Sequence, residues 1–387
     1  MKYWSLFLIL FGIGVVYADC SLTVEERSGV PVRILKNRWI QAEIAPQASG
    51  SVVGLRYLPL KQELMAPFIY KVEKIDLLPD QIQVSSGGGR TALWGHKLLL
   101  DQKMKVNKEE SVSERAKLEM FHQYYQGLPC SFQRWMILER DAAMLKIGFT
   151  LKNNGDTPLT LRPWDNLVMQ LNSQGRDDVI IPTLGGISQI GGMGVQQVSH
   201  DQIFIKKRDM LTKEIKMVAA RNWLARRNND SPLIFAVRLI SEPLSPDGFF
   251  YSWSGDGASP ICTMEVVCPP AKLEPGQERA YEFEYLIFQG MTDLKEICGD
   301  IGINCEIQKN RIEWQFAVVR PVPEQTLLVY AGKQELGKLN LPAMRPGQAY
   351  QVSLPLGDLP KSKLPISGKF ATGASFELLE PQLVIEN

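Results

Sequence analysis

Glu265 stands in the apolar run Ile261-Cys262-Thr263-Met264-Glu265-Val266-Val267-Cys268. A carboxylate among Met and Val side chains costs free energy unless it is paired, hydrogen-bonded or protonated. Carboxyls in such surroundings acquire raised pKa values, which suits a general base. A plainer reading puts Glu265 with Thr263 and Val267 on the wet face of an edge strand, because residues two apart share a face. His96 is the second candidate. It lies in Leu93-Trp94-Gly95-His96-Lys97-Leu98, a strand entered through a glycine-rich loop, and a core histidine satisfied by hydrogen bonds fits the same pattern. The remaining histidines, His122 and His200, read as structural or exposed. The chain has no Gly-x-Ser-x-Gly elbow and no His-Glu-x-x-His, so nothing marks a serine hydrolase of the elbow type or a zinc hydrolase of that type.

Around these candidates Trp94, Trp135, Trp164, Asp165, Trp223, Trp253 and Asp256 recur near loop positions. Sugars offer C–H faces that stack on aromatic rings and hydroxyls that need acceptors, so Trp with Asp suits saccharide recognition, although Trp is also ordinary sandwich core. The glycine stretches Ser86-Gly87-Gly88-Gly89-Arg90 and 185–194 contain no phosphate-binding pattern and open no helix. Charge is balanced, with 43 Lys+Arg against 42 Asp+Glu, which gives no field to attract nucleic acid or an anionic membrane. Nothing in the spacing calls for a metal or a cofactor.

The N-terminus reads as an export signal. Lys2 precedes an uncharged stretch from Trp4 to Tyr17, and Val16 and Ala18 suit a small-residue cleavage site, which makes residues 1–18 a signal peptide. The run falls short of the about 20 apolar residues of a membrane span. No second apolar run of that length follows, so the expectation is an extracytoplasmic chain, periplasmic or secreted. Cys20 raises lipidation, but Asp19 occupies the preceding position where a small residue is wanted. The six cysteines, Cys20, Cys130, Cys262, Cys268, Cys298 and Cys305, are an even set, expected in an exported chain to form disulfides. If 262–268 is one strand, its ends stand ~20 Å apart and cannot pair. Cys298 and Cys305 flank Gly299-Asp300-Ile301-Gly302 and are the favoured pair.

Helical periodicity is nearly absent. Short strand signals recur between Gly, Pro, Asn and Asp: Trp39 to Ile44, Ser131 to Leu138, Met144 to Leu151, Val179 to Ile181, Leu233 to Ile240, Ile261 to Val267 and Tyr281 to Phe288. Tyr281-Glu282-Phe283-Glu284-Tyr285 alternates strictly, which predicts one face on a core and one in water. This is an all-β pattern, a large antiparallel sandwich over residues 19–290. A linker is predicted over 291–311. A small Ig-like β-sandwich is predicted over 312–387, with strands at Ile312 to Trp314, Thr326 to Tyr330, Ala349 to Leu354, Leu364 to Phe370 and Phe376 to Ile385.

The order of these features resembles the galactose mutarotase-like superfamily, whose fold is a large antiparallel super-sandwich. Leu35 to Pro46 followed by Gly50 to Leu55 looks like its opening hairpin. Gly148 to Pro158 is similar to its strand-and-turn segment, and Met264-Glu265 with Leu273-Glu274-Pro275-Gly276-Gln277-Glu278 to its closing unit. The resemblance covers residues 25–290. It implies Glu265 as the base that takes the anomeric hydroxyl proton, and His96 as the first family histidine. The second histidine, the acid at the ring oxygen, is missing from Arg162-Pro163-Trp164-Asp165-Asn166-Leu167. Of the residues there, Asp165 or Arg162 would have to substitute, and arginine does not give up its proton. The site implied is a cleft lined by His96 and Glu265, with Trp94, Trp164, Asp165 and Arg162 binding carbohydrate. The competing reading is a noncatalytic module with a degenerate sugar site, its C-terminal domain meeting a protein partner.

Overall fold

A computed structural model describes residues 20–27, 30–67, 70–72, 82–84, 88–94, 103–123, 127–170, 176–191, 195–199, 202–206, 213–228, 230–244, 247–255, 261–308, 310–356 and 364–383. Among them two large antiparallel sheets face each other. The eleven-stranded sheet runs in the order Ser21–Arg27, Val30–Lys36, Ile40–Ala45, Ser51–Tyr57, Gly89–Leu93, Pro163–Gln170, Ile261–Val267, Phe249–Gly255, Lys213–Ala219 and Thr183–Gly191, with Gln62–Glu63 paired to Ser51–Tyr57. At the centre of the ten-stranded sheet Trp223–Asn228, Leu233–Leu239, Glu278–Gln289, Met144–Asn153 and Cys130–Glu139 lie side by side. Their inner faces interleave into one core. Leu35, Ile44, Leu55, Phe250, Met264 and Val266 of the first sheet meet Ile147, Phe149, Phe283 and Tyr285 of the second. Phe149 stacks on Tyr281 with ring centroids 5.1 Å apart and on Phe283 at 5.9 Å. This is the super-sandwich architecture implied by the sequence.

The C-terminal sandwich starts earlier than expected. Glu296–Cys298, Ile301–Gln308, Arg311–Val318 and Ala349–Pro355 make one four-stranded sheet; Gln334–Leu341, Gln325–Ala331, Leu364–Phe370 and Ser375–Leu383 make the other. The stretch predicted as a linker over 291–311 therefore supplies two strands. Trp314, Phe316, Phe370 and Phe376 fill the core between the sheets. No helix among the described residues is long and apolar enough to cross a membrane. The signal segment 1–18 lies outside the described residues, and Cys20 beyond it is buried with its thiol donating to Leu138 O.

All six cysteines are free thiols, contrary to the disulfide expectation. The hairpin explains why Cys298 does not meet Cys305. It pairs Cys298 with Ile301 and Glu296 with Ile303, so Cys305 continues past the partner strand, about 13 Å along from Cys298 and beyond disulfide reach.

The Tyr281 strand also departs from its alternating pattern. Its second face is covered rather than wet. Glu284 is buried in a salt bridge with Arg238 at 2.5 Å, while Leu286 and Phe288 join Trp223, Ile234, Leu294, Ile297 and Val319 in an apolar layer under the C-terminal sandwich. Glu296, buried in that layer, accepts from Arg221 Nε at 2.7 Å and Trp223 Nε1 at 3.0 Å. Ala143 N donates to Val319 O at 2.7 Å. Arg320 reaches back to Glu139 at 2.8 Å.

On the same ten-stranded sheet Trp135 pairs directly with Gly148, and the indole lies where a Cβ would stand: one built on Gly148 falls 2.0 Å from Trp135 Cε2. Gly148→Ala is expected to lower unfolding free energy by about 1–3 kcal/mol, the usual cost of forcing a group into a filled site, and urea denaturation measures it.

Candidate functional site

Strand register builds the site. In adjacent antiparallel strands, directly paired residues project from the same face, and residues two apart along one strand do as well. Lys216 pairs with Tyr251, Tyr251 with Glu265, Glu265 with Asn166, and Asn166 with Arg90. One row of polar side chains thus crosses five strands of the eleven-stranded sheet, spanning about 19 Å at the usual strand spacing. The neighbouring row is Phe249, Val267, Trp164 and Ala92. Both rows lie on the face turned away from the main core.

Aromatic rings cover this face. Trp94 sits edge-on to three of them, with centroids 5.2 Å from Trp164, 5.3 Å from Phe249 and 5.2 Å from Tyr251. Such edge-to-face contacts fix ring orientation as well as burying area. Two cations flank the cluster. Lys216 Nζ lies 4.1 Å from the Phe249 ring centroid and Arg162 Cζ 5.5 Å from it.

Glu265 is 2 % exposed under this layer. The Trp253 amide donates to Thr263 Oγ1 at 2.8 Å, and Thr263 in turn donates to Glu265 Oε1. The Trp164 indole and the Asn166 side chain lie beside the carboxyl as further donors. Burial pushes the carboxyl up to about 8, against hydrogen bonding from Thr263, Trp164 and Asn166 and the charge of Arg90, which all pull it down. Arg90 is itself buried, which lowers its guanidinium to about 10, while Glu265 draws it back up. A carboxyl poised close to neutrality can accept or donate a proton.

Of the residues expected in a cleft, Glu265, Trp164 and Trp94 come together on this face, and Arg162 stands at its rim. His96 lies outside the described residues. Asp165 does not belong to the face. One residue along from Trp164, it points inward, is fully buried, and accepts from Thr91 Oγ1 at 2.9 Å and Tyr285 OH at 2.8 Å. Burial raises its carboxyl to about 6 despite the opposing charge of Arg134 and those two hydrogen bonds. It ties the two sheets together from within and cannot replace an acid at a ligand on the outer face. Sequence reasoning missed Arg90, Asn166, Tyr251, Phe249 and Lys216. The two-residue spacing of Trp164 and Asn166 was visible along the chain, but the cross-strand partners were not.

No protein-family model matches the sequence, and no curated protein matches it. Solved structures do. A TPR-domain containing protein from Parabacteroides distasonis superposes with TM-score 0.53 at 11 % identity, over 72 % of this chain and 54 % of that one, so this chain spans about half of that protein's length. A galactose mutarotase-like protein from Clostridium acetobutylicum gives 0.50 at 11 % identity, over 70 % of this chain and 99 % of that one. A provisionally assigned mutarotase from Salmonella typhimurium gives 0.50 at 8 % identity, over 69 % and 94 %. The larger domain has the galactose mutarotase-like fold.

The raised carboxyl has a signed consequence. Glu265 holds its proton in the folded chain up to about pH 8, whereas in the unfolded chain it loses it near 4.5. Its stabilising contribution is complete below the unfolded value and is lost as pH rises through the folded one. Asp165, raised from 3.8 to about 6, acts in the same direction over a lower window. Urea unfolding from pH 5 to 8 is expected to show Glu265→Gln gaining stability relative to wild type as pH rises. A difference that stays flat across that range would mean that Glu265 titrates normally.

Proposed function

We propose that this chain is an extracytoplasmic carbohydrate-binding protein. The sugar lies on the face carrying Trp94, Trp164, Arg90 and Glu265, and Glu265 exchanges a proton with one of its hydroxyls. The observation that carries this reading is Glu265 itself, a buried carboxyl pushed to about 8, in register between Asn166 and Tyr251 and one strand from Arg90's partner. The fold shared with mutarotase-like proteins supports a sugar as the ligand. Half-buried Trp94 offers its ring to a pyranose, while Arg90 stabilises the ionised form of Glu265. In an anomer exchange Glu265 would take the anomeric hydroxyl proton as the ring C–O bond opens. The proton delivered to the ring oxygen has to come from another donor, and Asp165 is on the wrong side of the sheet to be it.

A second reading has its own observation. Trp94 contacts three rings at once and Glu265 is almost wholly covered, as in a sugar site filled by its own side chains. The chain is then a noncatalytic binding or assembly module, and the outer strands of its C-terminal sandwich meet a protein partner.

Following α-to-β conversion of glucose and galactose by polarimetry separates the two. The enzyme reading expects acceleration over buffer and a loss of about 10²–10⁴-fold in Glu265→Gln, the usual weight of a proton-transfer group. Buffer rates for both proteins, with tryptophan emission still responding to saccharide, would leave a binding module. No response to any saccharide would end the carbohydrate reading.

A further inference from the structure

Building on that carbohydrate reading, we infer that the ligand is an acidic saccharide, one bearing a carboxylate or a sulfate ester, held by Lys216 and Arg162. The argument starts from where the cations stand. Lys216 projects from the same row as Glu265, and Arg162 stands just before the strand that carries Trp164, its carbonyl accepting from the Trp94 amide. Both converge on the Phe249 ring, at 4.1 Å and 5.5 Å from its centroid. Neither has an acidic partner among the described residues. Lys216 is exposed and Arg162 half-buried, so both can be reached from water.

Contact with a ring holds an exposed cation by only about 0.5–1 kcal/mol, and its charge remains available to an anion. The other members of the row do not cancel this charge. Arg90 adds a third positive group, and Glu265, with its proton retained to about pH 8, carries little negative charge at neutrality. A neutral hexose would gain nothing from two cations beside an aromatic platform. A sugar with an anionic substituent would stack its ring on half-buried Trp94 and place its charge between Lys216 and Arg162. Hydrogen bonds from cationic donors to anionic acceptors are about twice as strong as neutral ones, so they dominate selectivity.

Isothermal titration calorimetry on the full chain tests this with three oligosaccharides of equal length: an oligogalacturonate, a sulfated galactan fragment without carboxylates and an uncharged glucan. At least one acidic ligand is expected to bind about tenfold or more tighter than the glucan, with the advantage shrinking in high salt. Whether the carboxylate or the sulfate ligand shows that advantage identifies the source of the charge. Lys216→Gln and Arg162→Gln should each remove most of the advantage, and Lys216→Arg should keep it. Thermal melts confirm that the variants are folded. Equal affinity for the glucan, or acidic affinity unchanged in both Gln variants, overturns this inference and leaves the carbohydrate reading intact. No binding to any of the three removes both.

Discussion

The antiparallel register of five strands, Gly89–Leu93, Pro163–Gln170, Ile261–Val267, Phe249–Gly255 and Lys213–Ala219, is the constraint on which the rest depends. It puts side chains from positions 90, 166, 251, 265 and 216 into one row although the chain passes through them out of order. Because the pleat has a period of two, a slip of one residue in any of these pairings would turn Glu265 or Trp164 into the core and bring an apolar neighbour out. The deep core is what forbids that slip. Leu167, Met264, Val266 and Phe250 interleave with Phe149, Phe283 and Tyr285, and a one-residue slip would carry core side chains to the outer face.

The strand Pro163–Gln170 serves both sides at once. Its even-numbered positions Trp164 and Asn166 face the aromatic layer. Between them Asp165 faces Tyr285 and Thr91 in the interior, close enough to buried Arg134 to feel its charge. A buried ionisable pair costs desolvation and is seldom a net stabiliser, but removing one partner is strongly destabilising. The polar atoms between the sheets therefore specify how the sheets align more than they strengthen the fold.

Composition and turn spacing made the all-β class legible, and segment after segment from Ile261 to Phe370 began or ended within a residue or two of its strand. Glu265 was legible for a physical reason: a carboxylate inside an apolar run must be buried or on an edge, and it is buried. Asp165 was misplaced because its neighbours Trp164 and Asn166 belong to the site, and adjacency in sequence means opposite faces in a strand. The partners Arg90, Tyr251 and Lys216 were illegible because cross-strand neighbours are set by long-range pairing, which leaves no local trace. The strand from Glu278 misled in another way. Its Glu–aromatic alternation signals water on one side, but that side is roofed by the C-terminal sandwich and Glu284 is neutralised by Arg238.

That roof makes the chain hard to divide. Trp223, Leu286 and Phe288 on one side and Ile297, Ala317 and Val319 on the other form a shared apolar layer pinned by the Glu296 carboxylate. Cutting the chain between the two sandwiches would bare this layer to water on both fragments and strand Glu296, or the Arg221 and Trp223 donors, without partners. The two sandwiches are separate in topology yet inherit one another's stability. In evolutionary terms, the smaller one cannot be lost or exchanged without rewriting the outer surface of the larger.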